Sequence, residues 1–177
     1  MKHESHFFSS VSLPAQSQSA ARTTQLRYAP VRFGDLRSVA ALQKRAFKPR
    51  LAYGYSTLLL LWLLPPVRLL VARENGEIVG CAIGDRNGGQ SRVVNICVDP
   101  SRQRRGIGVE LLRRLEQALP FGDVMLMVET DNIAARALYK KEGYKDVGVS
   151  RDYYGRGKDG IWMQKPRTSN PQAKIRI

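Results

Sequence analysis

Between residues 92 and 129 an apolar run, RVVNICV, passes through DPSRQRRGIG into a segment with leucines at helical spacing, and a second apolar run, DVMLMVE, follows. Strand, crossover helix and strand in this order form a βαβ unit, which fixes a parallel strand pair and a right-handed crossover. The junction is unusual because Gly106 and Gly108, residues that weaken helices, stand where the helix must begin. A helix start leaves backbone N–H groups unpaired and carries partial positive charge. Without Cβ atoms an anion can approach those donors closely. Arg102, Arg104 and Arg105 add charge at the same place, and the stretch reads as a site for a phosphate or pyrophosphate.

Two familiar phosphate loops do not fit. Gly106-x-Gly108-x-x-Leu111 lacks the third glycine of the dinucleotide fingerprint, and Gly-x-x-x-x-Gly-Lys-Ser/Thr is absent.

Around this unit the rest of the chain falls into place. LRYAPV (26–31) reads as a strand. GDLRSVAALQKRAF (34–47) reads as a helix with Asp35 as N-cap. Residues 48–66 form an irregular helical segment whose LLLLWLLPP is expected to be buried, or else to wall a substrate groove. RLLVA (68–72) and EIVGCAIG (77–84) form a hairpin around Asn75-Gly76, and a polar loop, DRNGGQS, leads to the strand at 92–98. DNIAARALYKKEG (131–143) is a capped helix stopping at Gly143, and YKDVGVS (144–150) and GIWMQK (160–165) are the last strands. The expected fold is α/β, a mixed sheet of six to seven strands with flanking helices in one domain over 25–165. Residues 1–24 form a Ser-rich leader, and 166–177 a basic tail without periodicity.

The chemistry is narrowed by what is missing. His3 and His6 are the only histidines and lie in the leader, and no Cys-x-x-Cys occurs. The folded part therefore has no Ser-His-Asp or Cys-His catalysis, and no metal is expected. Cys81 and Cys97 lie in strand-like runs, which suits a reducing compartment such as the cytoplasm, and the leader's weak likeness to a transit peptide makes an organelle the alternative. The longest apolar run is too short to cross a bilayer, and no membrane partner is expected. Of the net charge of +14, residues 1–24 carry one and 165–177 carry four. The fold itself is thus basic and suits an anionic ligand, with nucleic acid as another partner that this surface permits but does not require.

NICVDPSRQRRGIGVELL resembles the acetyl-CoA-binding motif of the GCN5-related N-acetyltransferases (GNAT), with Gln103, Arg104, Arg105, Gly106, Ile107 and Gly108 in the places that wrap the cofactor pyrophosphate. DNIAARALYKKEGY resembles the family's later motif through Asn132, Tyr139, Gly143 and Tyr144, and the resemblance spans roughly residues 26–165. It is nearest to the RimI-like ribosomal-protein alanine N-acetyltransferases. It implies an acyltransferase that uses acetyl-CoA as co-substrate, and an acceptor that is a protein or peptide amine, ribosomal in the nearest subgroup. A lysine or small-amine acceptor, or a non-catalytic acetyl-CoA- or RNA-binding module, is the runner-up.

The resemblance also assigns residues. The backbone of Ile96, Cys97 and Val98 would pair with the pantetheine arm, and Asn132 would cap its helix and touch that arm. Tyr139 would protonate the departing thiolate, and Tyr153 and Tyr154 would line the acceptor slot. The subgroup's general-base glutamate falls at position 127, which is Met127 here. Strand alternation puts Glu129 on the same face, about 6 to 7 Å further along, as the candidate carboxylate.

Overall fold

A computed structural model describes residues 25–119 and 122–167. The leader and all of the expected tail except its first two residues lie outside them. Seven strands form one sheet in the order β1-β2-β3-β4-β5-β7-β6. They are β1 (Leu26–Pro30), β2 (Val67–Glu74), β3 (Glu77–Asn87), β4 (Gln90–Val98), β5 (Val124–Glu129), β6 (Lys145–Ser150) and β7 (Gly160–Lys165). Four helices, α1 (Leu36–Ala46), α2 (Tyr55–Leu63), α3 (Ile107–Ala118) and α4 (Ile133–Lys141), complete the mixed α/β fold. All neighbouring strands are antiparallel except β4 and β5, the pair the crossover helix predicts.

The sheet has a core on each face. On one side Ile107, Leu111, Leu112 and Leu115 of α3 pack on Ala72, Ala82, Val93 and Leu126. On the other, Leu36, Val39 and Leu42 of α1 and Leu58 of α2 pack on Val71, Cys81, Ile83 and Cys97. Each fully buried leucine is worth about 1.5–3 kcal/mol, so packing fixes where α3 begins, and therefore where its free N–H groups point.

β4 carries one extra residue. Asn95 lies opposite Ile83 and Val93 opposite Gly84, so Val94 is bulged. Val93, Ile96 and Val98 pack on the α3 side, whereas Val94, Asn95 and Cys97 face α1. β4 and β5 pair only from Ser91/Val124 to Val93/Leu126, so their ladder stops at the bulge.

Three expectations need correction. The polar loop at 85–91 is instead a continuation of β3 and β4, turned by Gly88 and Gly89, both at positive φ, and clamped by a bidentate Arg92–Asp85 pair. Asp35 stands at the N-cap of α1, but its carboxylate accepts from the Arg32 N–H and pairs with Arg73 rather than capping the helix. The apolar run of α2 is not buried. Leu58 alone is fully enclosed, because the helix rests on the margin of the α1 layer with most of its surface facing outward. The tail region begins in order, with the Arg167 guanidinium donating to the Glu116 and Leu119 carbonyls at the end of α3.

Candidate active site

Beyond Val93 and Leu126 the two central strands diverge, and the rest of β4, including Ile96, Cys97 and Val98, has no ladder partner on the β5 side. Ile96 and Val98 are half-buried against the α3 core, and Cys97 is buried on the opposite face. The site forms around this gap.

One wall is the loop from β4 into α3. Asp99 accepts from the Ser101 hydroxyl and N–H and pairs with Arg45. These contacts, Ser101 foremost, hold its carboxyl below the ordinary range. Arg102 and Arg105 both bind the buried Glu74 carboxylate of β2, and the Arg105 hydrogen bond leads in holding that carboxyl low. Two of the three arginines expected around an anion are thus tied down by one carboxylate. Arg104 alone is exposed without a partner among the described residues. The Gln103 side-chain amide donates to the Val98 carbonyl at 3.2 Å.

The loop turns through two left-handed residues, Arg104 (φ 63) and Gly106 (φ 78), and α3 starts at Ile107. Gly106 is required by that backbone angle. Gly108 is not required by packing. A Cβ there would meet Val98 and Leu138 at 3.6 and 3.8 Å, ordinary contacts, so its absence leaves open space at the helix start.

The other wall is α4. Asn132 caps it, its Oδ1 accepting from the Ala135 N–H at 3.2 Å. Tyr139, on the inner face, packs against the α3-side core and meets the ring of Tyr144 edge-on at 5.7 Å. Its hydroxyl has no hydrogen-bond partner among the described residues, and burial pushes it up to about 12, so the phenol stays protonated. Tyr144 is buried and donates to Glu116, a role in the core rather than in the site.

On the face opposite α3, the β6–β7 loop reaches back over β5. The Tyr154 hydroxyl donates to the Met127 carbonyl, one residue past the last β4–β5 pair, and its environment is shared with Tyr139 and Glu129. Tyr153 lies against Tyr154 and Trp162, with ring centroids at 5.0 and 6.5 Å. The Met127 side chain lies over Gly160. Glu129, further along the same face, pairs with Lys158 of that loop at 3.2 Å. A shallow trough lined by Arg92, Met125 and Trp162 lies along the same face of the sheet.

The structure therefore brings Ile96, Val98, Tyr139 and the start of α3 together on the α3 side, leaves Cys97 on the opposite face and Asn132 exposed at the start of α4, and places Met127, Glu129, Tyr153 and Tyr154 together on the other face of β5. Sequence reasoning missed Glu74 and Lys158. Glu74 was hidden because its arginine partners are 28 and 31 residues away, although a lone carboxylate ending an apolar strand was the available signal. Among the described residues no cluster could hold a metal ion.

The acetyltransferase (GNAT) family model matches residues 36–144. An uncharacterized N-acetyltransferase, MJ1530, of Methanocaldococcus jannaschii is 31% identical over 143 residues, covering 77% of this chain and 90% of that protein. The N-alpha-acetyltransferase RimI of Mycobacterium tuberculosis is 43% identical over 99 residues, 53% of this chain and 63% of its own length. The crystal structure of the ribosomal-protein-S18-alanine N-acetyltransferase from Escherichia coli superposes with a TM-score of 0.72 at 26% identity, over 80% of this chain and 94% of that one. With these likenesses the chain belongs to the GNAT family and is an N-acetyltransferase.

Proposed function

We propose that the protein transfers an acetyl group from acetyl-CoA directly to the α-amine of a protein N-terminus. The observation that carries this reading is the gap between β4 and β5, closed at one end by the 103–108 loop and flanked by the unpartnered Tyr139 hydroxyl. The pyrophosphate rests on the N–H groups of that loop and of the α3 start, assisted by Arg104. The pantetheine arm follows the Ile96–Val98 edge that β5 leaves unpaired, past the Asn132 amide.

The neutral amine attacks the thioester carbonyl and the C–S bond breaks. Tyr139 shares its proton with the departing thiolate, and Glu129 takes the proton lost by the amine through a water. A covalent acyl-enzyme on cysteine is disfavoured, because burial pushes the Cys97 thiol up to about 12 and the Cys81 thiol well above its ordinary value. Tyr153 and Tyr154 line the slot for the first acceptor residue, and the Arg92–Trp162 trough gives later residues a path. Relatives named N-alpha-acetyltransferase RimI and [ribosomal protein bS18]-alanine N-acetyltransferase support an α-amine acceptor.

The test is thiol release from acetyl-CoA in the presence of peptides with free N-termini beginning Ala, Ser or Met, and of blocked peptides containing lysine. Turnover with the free N-termini alone is expected. Turnover confined to the blocked lysine peptides would reassign the acceptor, and none with any peptide would overturn the reading.

A further inference from the structure

The surface of α2 is the strongest departure of this molecule from ordinary burial. Leu60 and Leu63 are 59% and 62% exposed, and Phe33, Tyr55, Trp62 and Leu64 are exposed beside them. Phe33 and Trp62 touch, with centroids at 5.9 Å, so the patch runs from the start of α1 across α2. The helix is apolar on nearly all sides, yet only Leu58 is enclosed, with Leu59 and Leu61 half-buried beside it and the Trp62 indole N–H donating to the Val31 carbonyl, so its outer side leaves apolar side chains that a water-soluble surface rarely presents together.

The charge around it is one-sided. No Asp or Glu occurs between Asp35 and Glu74. Arg32 adjoins Phe33, the exposed Arg68 donates to the Pro65 carbonyl, and the Arg86 backbone N–H reaches Pro66, so arginines border both ends of the patch. The nearest carboxylates are committed to other arginines, Asp35 to Arg73 and Asp85 to Arg92. A second copy packed symmetrically on this patch would set arginines against arginines with no carboxylate between them. Leucines and aromatics rimmed by arginine suit an anionic lipid surface, where the apolar side chains enter the headgroup boundary and the cations meet phosphates.

We infer that the α2 face docks on anionic bilayers: Leu60, Trp62, Leu63 and Leu64 insert, while Arg32 and Arg68 engage the headgroups. This is peripheral binding, as no helix among the described residues is long and apolar enough to span a membrane. It is independent of which amine is acetylated.

The test is co-sedimentation of the full chain with vesicles of phosphatidylcholine alone or mixed with phosphatidylglycerol. Sedimentation with the mixed vesicles is expected, weakening with salt and with Arg68→Gln. The double variant Leu60→Ser/Leu63→Ser, whose melting curve should match that of the parent because both side chains are exposed, is expected to bind about tenfold more weakly or less. Equal binding of parent and double variant would reduce the effect to net charge and overturn the proposal, as would no sedimentation. A dimer in light scattering that the double variant dissolves would assign the patch to a second copy and overturn it too.

Discussion

Tyr154 donates its hydroxyl to the carbonyl of Met127 at 3.0 Å, tying the β6–β7 loop to the strand position where the resemblance read from the sequence would put a general base. The Lys158–Glu129 pair is another anchor of that loop, so Glu129 both holds the loop and lies on the face that Tyr153 and Tyr154 cover. Glu129→Gln is expected to lower kcat/KM about 100-fold. Lys158→Gln, which keeps the carboxylate, should cost much less. Equal losses from both variants would make Glu129 a loop anchor only.

Tyr139→Phe removes the hydroxyl and keeps the ring packed on Tyr144. Turnover should fall about 100-fold while the Kd for CoA, measured by calorimetry, stays within a factor of about two. Unchanged turnover would remove Tyr139 from the chemistry.

The Tyr139 phenol is pushed up to about 12, so it remains a proton donor throughout the range in which an amine deprotonates. The rate should climb with pH as the acceptor amine loses its proton and show no falling limb below about pH 10, the ordinary phenol value. A falling limb near that pH that vanishes in Tyr139→Phe would keep Tyr139 as the proton donor but contradict its upward shift.

Gly106 and Gly108 separate backbone need from ligand need. Gly106→Ala forces a left-handed alanine and should destabilise the fold by about 1–2 kcal/mol in urea unfolding. Gly108→Ala should leave stability unchanged or slightly raised, since the new methyl meets only ordinary contacts, yet raise the KM for acetyl-CoA. If its KM is unchanged, the space at the helix start is not where the donor binds.

Glu74 organises the loop from below by gripping Arg102 and Arg105, which keeps its carboxyl charged to lower pH than usual. A carboxyl whose pKa is depressed by folding stabilises the fold above its unfolded value and loses that contribution as pH falls through the folded one. Glu74→Gln should therefore lower the melting temperature at neutral pH, with the difference from the parent narrowing on acidification below about pH 4, and should raise the KM for acetyl-CoA with little change in kcat.

The parts of this molecule legible in its sequence are those set by local spacing. The βαβ unit, the Asn75-Gly76 hairpin and the α4 cap at Asn132 depend on local order and on neighbours within a few residues. What was not legible depends on distant partners. The engagement of Arg102 and Arg105 by Glu74, the anchoring of Glu129 by Lys158 and the diversion of Asp35 to Arg73 join residues far apart in the chain. The misreading of α2 has another origin. Hydrophobicity states what a segment would gain by burial, not whether the rest of the fold reaches it.

The bulge at Val94 is a matter of counting. A strand alternates its side chains by twos, so one surplus residue inverts the phase of all that follows and adds local twist exactly where β4 and β5 part company. Deleting Val94 would restore strict alternation, because Val93 and Asn95 already face opposite sides of the sheet and Asn95 to Val98 would keep the faces they now occupy. The parting of β4 from β5 thus begins at a single supernumerary residue, an odd number written into an otherwise even strand.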